Sequence, residues 1–326
     1  MAVGSYAVAS DTGRKRRRNE DNYVVAPPLF AVADGMGGAQ AGEVASKLAA
    51  ATLEGGDEAD GLDGVERVRA LILQANRRVY ERATNDPTAS GMGTTMTVAV
   101  VEGMNVAIGH VGDSRAYLVR DGRMEQLTED HSLVNELLKS GKLSPEEAHV
   151  HPQRSVITRA VGTDPDVDVD GFTIEAYDGD VFLLCSDGLT DMVEDEDILD
   201  LVDRHRDDLD RAVRSLVAAA NRGGGEDNIT AVAFRVEPGP AGEETLRLPA
   251  RAEPEEETLE ALPPHAAVDT MVIPPDRIES QLLERRSAEA AATHDPVDSA
   301  ARLRLALTFV ALLALAVVLL AWGLLR

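Results

Sequence analysis

Apolar and polar positions alternate in short blocks over the first two thirds of the chain, and the blocks are of two kinds. Residues 6–9, 23–26, 29–33, 94–101, 105–110, 115–120, 181–185 and 229–236 are brief runs of alternating or continuous apolar character, which predicts strands. Residues 41–53, 64–83, 132–139, 195–204 and 209–221 repeat apolar positions with helical spacing, the last two from acidic starts, which predicts helices. Two adjacent helices followed by several hairpin-like strands argue against a strict βαβ repeat. Antiparallel sheets packed together and covered by helices fit better, an α+β architecture. Asp-Gly occurs seven times, and Asp121-Gly122, between YLVR and RMEQLT, reads as a plain hairpin turn.

The pattern changes twice further on. Residues 237–304 hold nine of the 15 prolines and an excess of acidic side chains, a mixture that buries too little apolar surface to fold alone. This stretch is expected to be a disordered linker, with short apolar patches such as residues 270–273 as alternative docking segments. Residues 305–325 carry no charge and no polar face, and as a helix they would span about 31 Å. They are expected to form one C-terminal transmembrane helix. Arg302 and Arg304 precede the run and only Arg326 follows it, which places the N-terminal domain on the cytoplasmic side of a cell membrane. No apolar leader opens the chain to offer another route.

Composition narrows the function. With 326 residues and 44% hydrophobic content the chain can bury a full core. Thirty-two basic against 57 acidic residues give a net charge of −25, which repels nucleic acid. A single cysteine, Cys185, excludes an internal disulfide and a multi-cysteine zinc site, so metals must sit on oxygen or histidine.

Two Asp-Gly pairs are not simple turns, because Asp34 ends LFAVAD and Asp187 ends VFLLCSD. A carboxylate at the tip of a buried strand, followed by a glycine that lets backbone approach a ligand, suits a hard cation. Glu20-Asp21, Asp113, Asp191 and Asp227 add acidic clusters beside other strand ends. If they converge, they repel one another unless divalent cations compensate.

In this order SDTGRKRRRNEDN, DGMGG, GDSRAY, DHS, TRAVG, SDGLTD and EDNIT resemble the motifs of the bacterial metal-dependent serine/threonine protein phosphatases of type 2C, over roughly residues 1–236. The resemblance implies a four-layer α-β-β-α sandwich of two antiparallel sheets flanked by helices. It implies two to three Mn2+ or Mg2+ ions, with Asp34 bridging two of them, Asp187 and Asp227 completing the first site and the Gly35 carbonyl joining the second. It further implies that Glu20 holds metal-bound water, that Asp113 helps bind a weaker third ion, and that Asp191 supports the cluster. Ser155, in the segment resembling the family's flap, is a weaker third-site candidate than a plain loop hydroxyl.

Arg16 stands three residues before Asn-Glu-Asp, where the family keeps its phosphate-binding arginine; Arg14, Lys15, Arg17 and Arg18 read as a solvated basic loop. The implied catalytic residues are Arg16, Asp34 and Asp187, and the implied partners are phosphorylated proteins, serine/threonine kinases and, through residues 305–325, membrane lipid. One departure stands out: Met36 occupies a position where eukaryotic members often carry histidine, and methionine cannot donate a proton to a leaving group. His131, in DHS, is expected to organise local hydrogen bonds instead.

Other phosphoryl chemistries lack their parts. Asp191 stands where a cysteine phosphatase built on Cys185 would need arginine, the run at 166–170 follows no apolar strand, and GGGEDN lacks the lysine of a nucleotide-binding loop. A two-metal phosphodiesterase and a non-catalytic phosphatase-like sensor are the remaining alternatives.

Overall fold

The computed structural model describes residues 2–37, 41–55, 59, 61–149, 151–238 and 271–272. In chain order the strands are β1 (Ala2–Asp11), β2 (Asp21–Ala26), β3 (Leu29–Met36), β4 (Gly93–Thr94), β5 (Met96–Glu102), β6 (Asn105–Val111), β7 (Arg115–Arg120), β8 (Arg123–Gln126), β9 (Val156–Ile157), β10 (Asp170–Glu175), β11 (Val181–Cys185), β12 (Ile229–Glu237) and β13 (Met271–Val272). The helices are α1 (Ala41–Gly55), α2 (Gly64–Asn85), α3 (Leu133–Lys139), α4 (Pro145–His149), α5 (Asp187–Thr190), α6 (Asp195–Arg204) and α7 (Leu209–Gly223).

The long strands form two antiparallel sheets, in the orders β1-β12-β11-β7-β8 and β10-β6-β5-β3-β2. Their sequences read as nearly continuous apolar runs because both faces of each sheet are covered. In β3, Leu29, Ala31 and Ala33 pack with α1 and α2, whereas Phe30 and Val32 face the other sheet. In β11, Val181, Leu183 and Cys185 join the core beneath α6 and α7, and Phe182 and Leu184 enter the space between the sheets. This period-two split produces three apolar layers and so the four-layer α-β-β-α sandwich. Phe30 and Phe182 both stack on Phe234, with centroids 4.2 and 5.2 Å away, at the middle of the central layer.

The helices dock through stripes at helical spacing. Val68, Leu71, Ile72, Ala75 and Val79 of α2 are buried, as are Leu209, Ala212, Val213, Leu216, Val217 and Ala220 of α7. Asp208 caps α7 by accepting from the Arg211 N–H at 3.1 Å.

Three details of the strand pattern have local causes. The run at 94–101 is divided at Thr95, whose side chain is diverted to hold another strand, as described below. Strand β8 pairs with β7 through a turn in which Asp121 and Gly122 both have positive φ, 50° and 70°, the geometry that favours Asp-Gly. Strand β10 is not among the expected strands because its alternation is short, with only Phe172 and Ile174 packing against the central layer, and it lies at a sheet edge; Asp170 begins it, and Asp166 and Asp168 before it are exposed.

The chain divides into two units, Met1–Pro274 and Pro275–Arg326, and the second lies outside the described residues, as does nearly all of the expected linker. Within the linker stretch only Met271–Val272 is described after Pro238, as β13. No helix among the described residues is long and apolar enough to cross a membrane; residues 305–325 are not among them.

Candidate metal and phosphate site

The site gathers where β2 and β12 begin and β3, β6 and β11 end. Asp34 is fixed first through its backbone. Its N–H donates to Thr95 Oγ1 at 2.9 Å, and its carbonyl accepts from the Thr95 N–H and from Thr94 Oγ1, both at 2.8 Å. Thr95 Oγ1 also meets Ser114 Oγ, of GDSRAY, at 2.7 Å. Gly35 is required next to it, because a Cβ there would lie 2.1 Å from the Gly42 carbonyl at the start of α1.

Cross-strand register sets Asp21 directly opposite Asp34. Asp21 is only 6% exposed and accepts from Ser186 Oγ at 2.8 Å through Oδ2. Burial, helped by the Asp227 charge and opposed by the hydrogen bonds, pushes its carboxyl up to about 6.

Asp187 follows β11 as the first residue of α5, and Asp227 lies just before β12. Their approach needs Gly188, where a Cβ would fall 2.0 Å from the Asn228 carbonyl. Asn228 in turn fastens the basic loop: its Nδ2 donates to the Thr12 and Arg18 carbonyls at 2.9 and 2.8 Å, and its Oδ1 accepts from the Glu20 N–H at 2.7 Å. Arg16 is thereby delivered to Asp227, with Nη2 to Oδ2 at 2.7 Å. Burial works against the guanidinium charge, and Asp227, Glu20 and Asp34 more than offset it.

The electrostatics register the convergence. The Asp34 carboxyl lies well above its ordinary range, through burial first and then the charges of Asp21, Asp187, Asp227 and Asp113. Asp187 is raised in the same way by burial, Asp113, Asp227, Asp191 and Asp21. Burial, Asp130 and Asp191 push Asp113 to about 7. The Asp191 carboxyl, at the end of α5, is raised by desolvation against the opposing charge of Arg154, whose Nε lies 3.5 Å from Asp191 Oδ2. Arg16, Glu20, Asp34, Asp113, Asp187, Asp191 and Asp227 thus share one electrostatic neighbourhood, with Gly35 beside Asp34. Ser155 is half-buried, next to Arg154 and immediately before β9.

A cation fits this chemistry. Asp21 Oδ1 and Asp187 Oδ1 are buried and accept no hydrogen bond, and orphaned carboxylate oxygens are costly unless something positive meets them. Oxygen donors alone suit Mg2+ or Mn2+. Among the described residues no group of three or more His, Cys, Asp or Glu side chains is arranged to hold a metal ion by itself. Backbone carbonyls and water would have to complete the coordination.

Asp21, Asn228, Thr95 and Arg154 are the participants that sequence reasoning did not assign. Asp21 carried a signal, since it adjoins Glu20 in RRRNED; the other three act through contacts distant in sequence. His131 is an organiser: the Gly112 N–H donates to its Nδ1 at 3.0 Å, and its Nε2 lies 3.2 Å from Asp170 Oδ2 and 3.0 Å from Arg159 Nη1. Burial and Arg159 lower its pKa. Arg115, of GDSRAY, locks onto Asp130, of DHS, with Nε 3.0 Å from Oδ1 and Nη2 2.7 Å from Oδ2. Met36 is buried with Ile157 and Ala160 in a small apolar cluster.

A fold of two helix-flanked antiparallel sheets with acids gathered at strand ends defines a class. The family model for protein phosphatase 2C matches residues 15–222, and the chain belongs to that family. Among its relatives, the serine/threonine protein phosphatase PstP of Mycobacterium tuberculosis is 42% identical over 228 residues, 70% of this chain and 44% of that protein, so the chain spans less than half of that relative's length. A serine/threonine phosphatase of Listeria welshimeri is 41% identical over 231 residues, covering 68% of this chain and 91% of its own. Among solved structures, the M. tuberculosis phosphatase superposes with a TM-score of 0.68 at 41% identity, covering 73% of this chain and all of that one. The PstP catalytic domain in complex with two manganese ions superposes with a TM-score of 0.67 at 39% identity, over 73% of this chain and all of that one.

Proposed function

We propose that this chain hydrolyses phosphoserine and phosphothreonine in proteins, using two divalent cations, Mn2+ or Mg2+, held by Asp34, Asp187, Asp227 and the Gly35 carbonyl. The observation that carries this reading is the pair of buried, unpartnered oxygens on Asp21 and Asp187 beside a doubly opposed Asp34. Cations held there would supply Lewis acidity, making water more acidic and offsetting charge on the phosphoryl oxygens.

The chain's own groups do the rest. The Asp34 backbone, from which its carboxylate projects, is held by three hydrogen bonds with Thr94 and Thr95. Asp21, opposite it and held by Ser186, adds charge behind it. Glu20 lies at the same mouth, where it orients water. Arg16, paired with Asp227, presents a planar fork that matches phosphoryl oxygens. Asp113 and Asp191 would hold a third, weaker ion. Met36 provides an apolar wall and no proton, so the leaving oxygen takes its proton from water.

The apolar run at 305–325, read with its flanking arginines, supports anchoring of this domain to the cytoplasmic face of a membrane. The test combines hydrolysis of a phosphothreonine peptide with calorimetric titration of Mn2+, on the unaltered chain and on Asp187→Asn. Mn2+-dependent hydrolysis and binding that both collapse in Asp187→Asn are expected. Mn2+ binding without turnover by the unaltered chain would favour the non-catalytic sensor.

A further inference from the structure

Strand β9 is short, and its two edges differ. One is closed by the stretch before α3: Ser132 bridges Ile157 antiparallel, and the Thr158 N–H donates to the His131 carbonyl at 2.8 Å. Because Thr158 makes that bond, the N–H and C=O of Ile157 point to the opposite edge. That edge carries β13, in parallel register, with Met271 opposite Val156 and Val272 opposite Ile157.

The edge borders the site. Ile157 is fully buried against Met36, two residues beyond Asp34, and Ala160. Arg154, two residues before β9, reaches Asp191. The occupant is distinctive in its own setting, since MVI is an apolar triplet in an acidic, proline-rich stretch, and Pro274 and Pro275 directly after it limit how far a strand can extend. Roughly 30 residues separate it from β12, so it is offered to β9 in cis, at an effective concentration on the order of millimolar.

Resting on the phosphatase reading, we propose that Met271–Val272 is a built-in ligand of the segment bordering the site. It adds as a parallel strand to the open edge of β9, and there it competes with the backbone of an extended phosphoprotein substrate. Strand addition recognises main chain through its hydrogen bonds, so one edge can serve the chain's own segment and a substrate in turn. A small aryl phosphate has no backbone to place on that edge and should be indifferent to it.

The test compares the full chain with the double variant Met271→Pro, Val272→Pro, which removes the Met271 N–H that the parallel register turns toward β9, restrains the backbone of both residues, and touches no residue of the site. Three quantities are read with Mn2+ present: amide hydrogen exchange in the peptide containing Ile157, KM for a phosphothreonine peptide, and hydrolysis of an aryl phosphate. Faster exchange is expected, with a fall in peptide KM of about tenfold if the edge is occupied nine-tenths of the time. Aryl phosphate turnover should stay within about twofold, since no change reaches the acids. Unchanged exchange overturns the strand addition, and faster exchange with unchanged peptide KM overturns the competition. Failure of the unaltered chain to hydrolyse either substrate would count against the phosphatase reading, and the exchange data would still decide the strand addition.

Discussion

Strand β3 serves two environments within five residues. Phe30 and Val32 enter the layer between the sheets, where they join an apolar cluster and Phe30 stacks on Phe234. Asp34, on the same face of the strand by period two, enters a crowd of carboxylates that push its proton affinity up. The first region is stabilised by each contact it makes; the second is a source of repulsion that the first must outweigh in the absence of metal. This division lets a rigid scaffold hold acids close enough to share ions. It makes opposite demands on the two regions, so substitutions should affect folding and chemistry separately.

The largest expected effect lies at the acids. Asp34→Asn and Asp187→Asn should each lower kcat/KM on a phosphothreonine peptide by about 10³-fold or more, the scale of removing a preorganised charge at a reacting centre. Removing one of several mutually repelling carboxylates should at the same time raise the thermal midpoint of the metal-free protein. Steady-state kinetics and melting in EDTA check both halves, and a variant that loses activity and metal-free stability together would break the comparison.

Phe234→Ala should act in the reverse sense. It removes a fully buried ring stacked on two others, at a cost of about 3–5 kcal/mol in unfolding free energy. Per folded molecule, activity well below the melting range should be retained. Denaturant unfolding followed by activity corrected for the folded fraction separates the two.

The acids also make stability depend on pH with a defined sign. Asp21, at about 6, and Asp113, at about 7, lie above the ordinary 3.8 of an exposed aspartate. Between about pH 4 and 7 the metal-free fold therefore holds protons that the unfolded chain has released, and stability falls as pH rises across that window. The slope is about 1.4 kcal/mol per pH unit for each proton held. Saturating Mn2+ should reverse the trend, because the ion binds the deprotonated acids of the folded state only. Melting midpoints across that range, with EDTA and with Mn2+, provide the check; a metal-free midpoint that climbs with pH would remove the repulsion from the account.

Much of this was legible in the sequence, for physical reasons. The core strands were readable because both of their faces are buried, and Asp34 and Asp187 because a charge at the tip of such a run, followed by glycine, stands out against its neighbours. The choice between Glu20 and Asp21 as the acid set directly against Asp34 was not readable, since it depends on the register between β2 and β3, which adjacent residues in one chain segment cannot express. The hydrogen bonds by which Asn228 and Thr95 position Arg16 and Asp34 join residues about 60 to 210 positions apart. Strand β10 lies at an edge and its alternation is limited to Phe172 and Ile174 after Asp-Gly, and β13 is an apolar fragment too short to carry a period.

The smallest predicted effect tests the boundary between the two regions. Arg16 and Arg115 both pair with an aspartate, yet Arg115 is bonded to Asp130 through two nitrogens and also donates to the Tyr117 hydroxyl at 3.1 Å, as a fixed strut. Arg16 meets Asp227 through Nη2 at 2.7 Å, at the mouth of the acidic cluster, and its side chain is no more exposed than that of Arg115. Arg16→Lys keeps the charge and loses the fork, so peptide KM should rise about tenfold, or about 1.4 kcal/mol, with kcat changed far less and the melting midpoint nearly unmoved. Arg115→Lys should instead lower the midpoint, because a bidentate pair that is also tied to Tyr117 is broken, and should leave peptide KM little changed. A loss of stability in Arg16→Lys equal to that in Arg115→Lys would make Arg16 a strut as well and leave the phosphate without its clamp.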